Sequence, residues 1–136
     1  IGAGLAREEI VLDPGFGFAK NARHSIALVA HLGALAALGF PLLIGPSRKS
    51  FIAHAAAAEE REAGRATELA PPAQRLGGTL AVVLACAARG ARIARVHDVA
   101  ETRQALDLWS AVGKSERTAA PNGRTAPSRG EEGRLA

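Results

Sequence analysis

The sequence predicts an α/β fold in which parallel strands are joined by helical crossovers. Short apolar runs of strand length alternate three times with longer segments whose apolar residues recur at helical spacing. The strand-like runs are continuously apolar, as expected when helices cover the sheet. Apolar residues make up 48% of the 136 residues, which is enough for a real core. We therefore expect one domain, or part of a larger one.

The first predicted unit is a strand over residues 9–13 followed by a helix over residues 21–38. A run of turn-forming residues separates the two. Asn21 is expected to cap the helix, because its side-chain oxygen can accept a free backbone N–H of the first turn. Gly39 is expected to end it.

The second predicted unit begins with a strand over residues 40–45 and a helical stretch over residues 51–58. Residues 59–72 are charged and Ala-rich and end in two prolines, which predicts an excursion of variable length. Helical spacing returns over residues 73–89. Two adjacent glycines weaken the first turns of this helix but permit close packing.

The third predicted unit is a strand over residues 92–97 and a helix over residues 99–112, with Asp98 as the helix cap. From Lys114 on, large apolar residues are almost absent, which predicts a disordered tail over residues 114–136. The folded part is therefore expected to span residues 1–113. Three such units form a small open sheet or three-eighths of a barrel, because a closed eight-stranded barrel takes roughly 250 residues.

Composition excludes several classes of protein. The single cysteine excludes an internal disulfide and a cysteine metal cluster, and it fits a reducing cytoplasm. The net charge of +4 is not clustered with aromatic residues, so we expect no nucleic-acid partner. The longest apolar runs fall short of the ~20 residues of a membrane span, and no secretory signal opens the chain. Because the sequence has no Met and starts with Ile1, we expect a piece of a longer protein.

Four polar residues fall at the carboxyl ends of the predicted strands. Asp13 ends the first strand, Lys49 follows the second, and Arg95 and His97 end the third. In parallel α/β folds, ligands bind at this edge of the sheet. Arg and His together favour a phosphate or pyrophosphate, while Asp accepts hydrogen bonds from an amino-substituted heterocycle. The set suggests group transfer from a heterocycle that carries a diphosphate.

Further residues next to these positions fit the same chemistry. Gly17 lets the backbone approach a flat ligand, Phe18 can stack on one, and Ser50 at a helix start can bind a carboxylate. Each residue also has a structural alternative. Asp13 before a proline can simply open a turn, Lys49 can be a solvated loop residue, and the histidine of the third strand can belong to a helix cap.

Three sequence blocks together resemble the carboxyl-terminal part of dihydropteroate synthases, and residues 75–81 add to the likeness. The blocks are Leu12-Asp13-Pro14-Gly15-Phe16-Gly17-Phe18-Ala19-Lys20, Gly45-Pro46-Ser47-Arg48-Lys49-Ser50-Phe51-Ile52 and Arg95-Val96-His97-Asp98-Val99. The resemblance covers residues 1–112. It implies a pterin-binding (β/α)₈ barrel of TIM type, of which these strands are the last three.

The resemblance also implies an activity, a cofactor and an assembly. The family joins hydroxymethyl-dihydropterin pyrophosphate to p-aminobenzoate in folate biosynthesis, giving dihydropteroate and pyrophosphate with Mg²⁺. The residue that binds Mg²⁺ is expected in barrel units that this chain lacks, and no metal ligand is expected in this chain. The family forms homodimers through its last helices, here residues 74–88 and 101–112. We expect the chain alone to be inactive. We expect it to have no membrane partner.

Roles carry over to the matching positions. By resemblance, Asp13 binds the amino-pyrimidine edge of the pterin, and Lys49 contacts the pterin near the acceptor. Ser50 binds the carboxylate of p-aminobenzoate, with Phe18 near the same pocket.

Arg95 and His97 hold the pyrophosphate, and with Lys49 they are the predicted catalytic residues. The alternatives are the pterin-binding domain of a corrinoid-dependent methyltransferase and a non-catalytic remnant. The blocks of residues 47–50 and 95–97 argue against the methyltransferase. The presence of Asp13 together with Lys49, Arg95 and His97 argues against a remnant, which would be expected to lose such residues early.

Overall fold

The computed structural model describes residues 4–18 and 21–119 as an α/β arrangement of a small parallel sheet and a helical layer. The helices and strands are α1 (Ala22–Ala30), α2 (Leu32–Ala36), β1 (Leu42–Ile44), α3 (Ser50–Glu62), α4 (Leu76–Ala87), β2 (Ala91–Ala94) and α5 (Val99–Ala119). Single 3₁₀ turns lie at Arg7–Glu9 and Pro72–Gln74. The α/β fold with parallel strands is therefore confirmed.

The sheet places three chain segments side by side. β1 and β2 are parallel, with Leu42 opposite Ala91 and Ile44 opposite Ala94. On the other side of β1, Leu12 forms an isolated parallel bridge to Leu42. The strand predicted over residues 9–13 is therefore too long, because only Leu12 pairs with the sheet. It is limited on one side by the 3₁₀ turn and on the other by Pro14, which has no N–H to donate.

Other boundaries also differ from the prediction. The helix over residues 21–38 divides at His31 into α1 and α2, just before Gly33, whose helix propensity is poor. The Asn21 cap is confirmed, because its Oδ1 accepts the N–H of His24 at 2.8 Å. The third strand ends at Ala94 rather than at residue 97.

Two helices are longer than predicted. α3 continues to Glu62, because the Ala-rich charged residues after position 58 are good helix formers. α5 continues to Ala119, so the disordered tail expected from Lys114 is wrong for its first six residues. No Gly or Pro interrupts that part of α5, and residues 120–136 lie outside the described part of the chain.

The core lies between the sheet and the helices. Phe16 and Phe51 are buried and stack with ring centroids 5.9 Å apart. Leu42 and Ile44 of β1 point into this core, and Leu43 points to the opposite side, as the alternation of a strand requires. Its register partner Ile93 is 42% exposed. In the described part of the chain, this second face of the sheet has no helical cover.

Cys86 of α4 provides a direct test of this core. It is fully buried, and burial raises the pKa of its thiol from the ordinary 9.0 to about 11. We expect about a hundredfold less thiolate than for an exposed cysteine at pH 8, and correspondingly slow reaction with a disulfide reagent. The rate should rise on unfolding in urea. Equal rates with and without urea would contradict the burial of α4 against the sheet.

No helix in the described ranges is both long enough and apolar enough to cross a membrane.

Candidate anion and heterocycle site

The loops after β1 and β2 meet at the carboxyl edge of the sheet. They enclose a cavity of about 260 Å³ lined by Gly45, Ser47, Lys49, Arg95, Val96 and His97. The three predicted catalytic residues therefore line one cavity, although their positions in the sequence are up to 48 residues apart. Two cationic side chains and an imidazole around a cavity of this kind favour an anionic ligand.

Arg95 directly follows β2 and extends the ladder of the sheet. Its backbone N–H donates to the carbonyl of Ile44 at 2.8 Å. Its guanidinium lies over the backbone of Gly45, where an added Cβ would sit 3.6 Å from Nε. The strand predicted over residues 92–97 includes Arg95, but Arg95 is exposed and lies just beyond the end of β2. Its side chain is accessible to a ligand in the cavity.

His97 is fixed by Ser47 from the neighbouring loop. The Oγ of Ser47 lies 2.8 Å from Nδ1 of His97, and the same oxygen accepts the backbone N–H of His97 at 3.1 Å. Ser47 is only 7% exposed. One buried hydroxyl therefore holds His97 by two hydrogen bonds, one to its imidazole and one to its backbone N–H.

Lys49 joins the cavity to the turn that follows Leu12. Its Nζ donates to the carbonyl of Phe16 and lies 4.3 Å from the ring centroid of Phe18, a cation–π contact. Gly17 has a φ of +73°, and a Cβ there would sit 3.0 Å from Cδ of Lys49. Gly17 thus permits both the turn and the close approach of Lys49. Gly17, Phe18 and Lys49 form one contact group.

Arg48 ties the two loops together. It is the only non-glycine residue with positive φ (57°) in the described ranges. Thr79 Oγ1 accepts its N–H at 3.1 Å, and the Arg75 guanidinium donates to its carbonyl at 2.8 Å. Its guanidinium binds both carboxylate oxygens of Asp98. These contacts hold a sparsely populated backbone conformation just before Lys49.

The side chain of Asp98 does not cap α5 as predicted. Its carboxylate pairs with Arg48, and its backbone carbonyl accepts the N–H of Thr102. The hydrogen bond from Arg48 is the main reason that the pKa of Asp98 lies below its usual range. The folded state therefore binds this proton more weakly than the unfolded state. The stability contributed is present above the unfolded pKa of about 3.9 and is lost as pH falls through the folded pKa.

Asp98→Asn is expected to lower the urea midpoint at pH 7, because the amide cannot replace a carboxylate that accepts two charge-assisted bonds. The difference from the wild type should begin to shrink as pH falls below the unfolded pKa of about 3.9, and it should vanish once the folded carboxylate, whose pKa is lower, is protonated as well. Asp107→Asn is the matched control, since Asp107 pairs with Arg103 within exposed α5 and joins no loops. Equal midpoint shifts in both variants would contradict a linking role for Asp98.

Four predicted site residues do not line the cavity of Lys49, Arg95 and His97. Gly17 and Phe18 are joined to it through their contacts with Lys49. Asp13 is exposed, and its Oδ1 accepts the N–H of Gly15 at 2.8 Å, so its structural alternative as a turn residue is also present. Ser50 is the first residue of α3 and lines a separate cavity of about 450 Å³ with Phe51 and the start of α1. A still larger apolar cavity of about 670 Å³ between α1, α3 and α4 contains none of the predicted site residues.

The residues that sequence reasoning missed are those that position the others. Ser47, Arg48, Thr79 and Arg75 received no role, although the first two belong to the block that contains Lys49. The sequence places the hydroxyl of Ser47 and the guanidinium of Arg48 within two positions of Lys49, and this proximity is the signal that could have pointed to both residues. Within residues 4–18 and 21–119, no group of three His, Cys, Asp or Glu side chains is placed to hold a metal ion.

The arrangement defines a class of protein: an α/β protein with two cationic side chains and an imidazole around a cavity at the carboxyl edge of a parallel sheet. Residues 1–97 match the family described as pterin binding enzyme. Because this match covers more than half of the chain, the chain belongs to the pterin binding enzyme family.

Curated relatives are named dihydropteroate synthase. That of Neisseria meningitidis serogroup B is 50% identical over 116 residues, covering 83% of this chain and 37% of the relative. That of Escherichia coli is 43% identical over 110 residues, covering 81% of this chain and 35% of the relative. The chain thus spans about a third of the length of these relatives.

Solved structures resemble the fold as well. A dihydropteroate synthase from Yersinia pestis superposes with a TM-score of 0.68 at 40% identity, covering 83% of this chain and 48% of that one. The Xanthomonas albilineans enzyme in complex with 7,8-dihydropteroate gives a TM-score of 0.67 at 41% identity, covering 88% of this chain and 40% of that one. The same enzyme has been solved with 4-aminobenzoic acid.

Proposed function

We propose that this chain forms the last three β/α units of a barrel that acts as a dihydropteroate synthase. The observation that carries the proposal is the cavity shared by Lys49, Arg95 and His97, in a chain whose curated relatives are synthases. The sheet face around Leu43 and Ile93, which has no helical cover in the described part, suits the interior of a barrel. The chain alone is proposed to be inactive.

The proposed substrates are hydroxymethyl-dihydropterin pyrophosphate and p-aminobenzoate. Arg95 and His97 bind the pyrophosphate, whose charge suits a guanidinium and an imidazole N–H. Lys49 contacts the pterin, and Asp13 accepts hydrogen bonds from its amino-pyrimidine edge. Ser50 at the start of α3 binds the carboxylate of p-aminobenzoate.

Phe18 lies near the same acceptor pocket, and Gly17 allows the backbone to approach the flat ligand. The proximity of both residues to Lys49 supports this assignment.

The proposed reaction is a displacement at the methylene carbon of the pterin. The bond from this carbon to the pyrophosphate oxygen breaks, and the pyrophosphate leaves with the bonding electrons. Arg95 and His97 stabilise its growing negative charge. The neutral aryl amine then forms the new C–N bond and loses a proton. No covalent intermediate with the protein is needed.

Mg²⁺ does not fit a site within the described residues, which offer no suitable cluster of ligands. If the enzyme uses Mg²⁺, its ligand belongs to other barrel units, and no step here depends on it. We also propose a cytoplasmic homodimer that associates through residues 74–88 and 101–112. The exposed Leu108, Trp109 and Val112 on α5 support such an interface.

A chimera tests the proposal. The preceding barrel units of the Neisseria meningitidis synthase would be joined to this chain, and the product would be assayed for dihydropteroate and pyrophosphate. We expect turnover, and complementation of a strain that lacks the synthase. The chain alone should give neither result.

Two outcomes would overturn this proposal. A folded chimera that binds a pterin and transfers a methyl group to a corrinoid, but does not use p-aminobenzoate, would support the methyltransferase alternative. A folded chimera that binds no pterin would support a non-catalytic remnant.

A further inference from the structure

We propose that Ser47 is a positioning residue that holds the ring proton of His97 on Nε2, so that His97 presents a neutral N–H donor to the cavity. The proposal rests on the proposed function for the identity of the ligand, a diphosphate, but not for the state of the ring. Ser47 borders the same cavity, and its hydroxyl contacts both the ring and the backbone of His97. The tautomer follows from the count of hydrogen-bond donors and acceptors around this hydroxyl.

The Ser47 hydroxyl has one proton to donate and lone pairs to accept with. The backbone N–H of His97 already donates to Oγ at 3.1 Å. Nδ1 of His97 lies 2.8 Å from the same oxygen. If Nδ1 carried the ring proton, Oγ would accept twice and its own proton would need another acceptor.

No other partner of this hydroxyl is present among the described residues, and Ser47 is only 7% exposed. A buried hydroxyl proton without an acceptor carries a cost in free energy, so this arrangement is disfavoured. The arrangement that satisfies every group has Ser47 donating to Nδ1. The neutral ring must then carry its proton on Nε2.

Asp98 is the nearest alternative partner in the sequence, and the structure excludes it from this role. A carboxylate that accepted from Nδ1–H would select the opposite tautomer. Both carboxylate oxygens of Asp98 instead accept from Arg48. The Arg48–Asp98 pair therefore leaves Ser47 as the group that sets the tautomer of His97.

The consequence for the cavity is a fixed pattern of donors. His97 lines the same cavity of about 260 Å³ as Arg95 and Lys49, and in this tautomer Nε2, the ring nitrogen that Ser47 does not contact, is a donor. With the other tautomer, Nε2 would offer a lone pair and repel an anionic oxygen. Ser47 thus makes the neutral imidazole suitable for a diphosphate without requiring a charge on the ring.

Nitrogen-15 NMR of the 136-residue chain tests the tautomer directly, because the shifts of Nδ1 and Nε2 report which nitrogen is protonated in the neutral ring. The spectra would be recorded without ligand at alkaline pH. His24, His31 and His54 are exposed and make no ring hydrogen bond within the described ranges, so they serve as internal references. We expect His97 to be protonated on Nε2 alone, and the references to show a mixture. A ring protonated on Nδ1, or the same mixture at all four histidines, would overturn the proposal.

Variants distinguish the effect of the Ser47 hydroxyl on the His97 tautomer from the general effects of a substitution. Ser47→Ala should return His97 to the mixture of the reference histidines, whereas Ser47→Thr keeps a hydroxyl and should retain the Nε2–H form. Ser115→Ala, which removes an exposed hydroxyl on α5, should leave His97 unchanged. An unchanged His97 tautomer in Ser47→Ala would reject the role of Ser47.

The chimera then links the tautomer to binding. Its affinity for inorganic pyrophosphate should fall about tenfold in Ser47→Ala, and Ser47→Thr should restore most of the loss, as when a group orienting another is removed. If the tautomer is as expected but the chimera makes no dihydropteroate, the proposed reaction fails while the inference about Ser47 stands. Unchanged pyrophosphate affinity in Ser47→Ala would show that the tautomer has no role in ligand binding.

Discussion

Replacing Gly78 by alanine is expected to destabilise the fold by about 1–3 kcal/mol, because it overpacks the contact between α3 and α4. A Cβ at this position would lie 2.3 Å from Cγ2 of Ile52, a distance that atoms do not tolerate. Ile52 is buried and β-branched, so its Cγ2 moves away only by a change of rotamer towards the cavity of about 670 Å³ that it lines with Gly78, or by a shift of α3. Either the helices separate or Ile52 takes a strained rotamer. The measurement is the urea midpoint of the chain, read by far-UV circular dichroism.

Gly77 is the matched control, because it precedes Gly78 in the same turn of α4. A Cβ at Gly77 would meet nothing within 4 Å. Gly77→Ala should therefore raise the stability by up to about 1 kcal/mol, the ordinary gain from replacing a helical glycine. If the stability falls in Gly78→Ala and rises in Gly77→Ala, packing rather than helix propensity is the cause of the loss. A Gly78→Ala variant as stable as Gly77→Ala would contradict the packing of α4 on Ile52.

Arg95→Ala is expected to lower kcat/KM of the chimera by about a hundredfold to a thousandfold, the range found when one donor to a developing charge is removed. The side chain of Arg95 is exposed, and its ladder hydrogen bond to Ile44 comes from the backbone. The substitution should therefore remove the guanidinium without unfolding the site. Steady-state assays of pyrophosphate release measure the effect, and circular dichroism checks the fold.

Arg92→Ala is the control for the loss of a positive charge close to Arg95 in the chain. Arg92 is exposed in β2, and it does not line the cavity that contains Lys49 and His97. It should retain most of the activity. Arg95→Lys should recover only part of the rate, because an ammonium cannot bind two oxygens in the paired geometry of a guanidinium. Equal losses in Arg95→Ala and Arg92→Ala would contradict a specific role for Arg95.

The sequence predicts the order of the elements well, because three alternations of strand and helix are visible in its apolar pattern. It predicts their ends poorly where a tertiary contact or a single turn residue decides them. The strand expected at residues 9–13 is reduced to Leu12 by turns on both sides. α5 passes Lys114 because local helix propensity continues beyond the last apolar position.

The cavity is also predictable in part. Ligands bind at the carboxyl ends of parallel strands, and this rule alone predicts from the sequence that Lys49, Arg95 and His97 lie close together. In the structure they line one cavity. The residues that hold them are not predictable in this way. Ser47 reaches His97 across fifty positions, and Arg48 reaches Asp98 across the same gap. A helix cap is the ordinary local interpretation of Asp98, and only the fold reveals its distant partner.

The segment between α3 and α4 offers a place to lengthen the chain. Residues 63–71 are mostly exposed, and Arg75 ties their end to the carbonyl of Ala70. Because α3 and α4 pack through Gly78 and Ile52, the contact between the helices does not depend on what connects them. Loop-closure entropy makes each doubling of such a connection cost only about 0.6 kcal/mol. A small fluorescent tag inserted here should therefore leave the two helices docked.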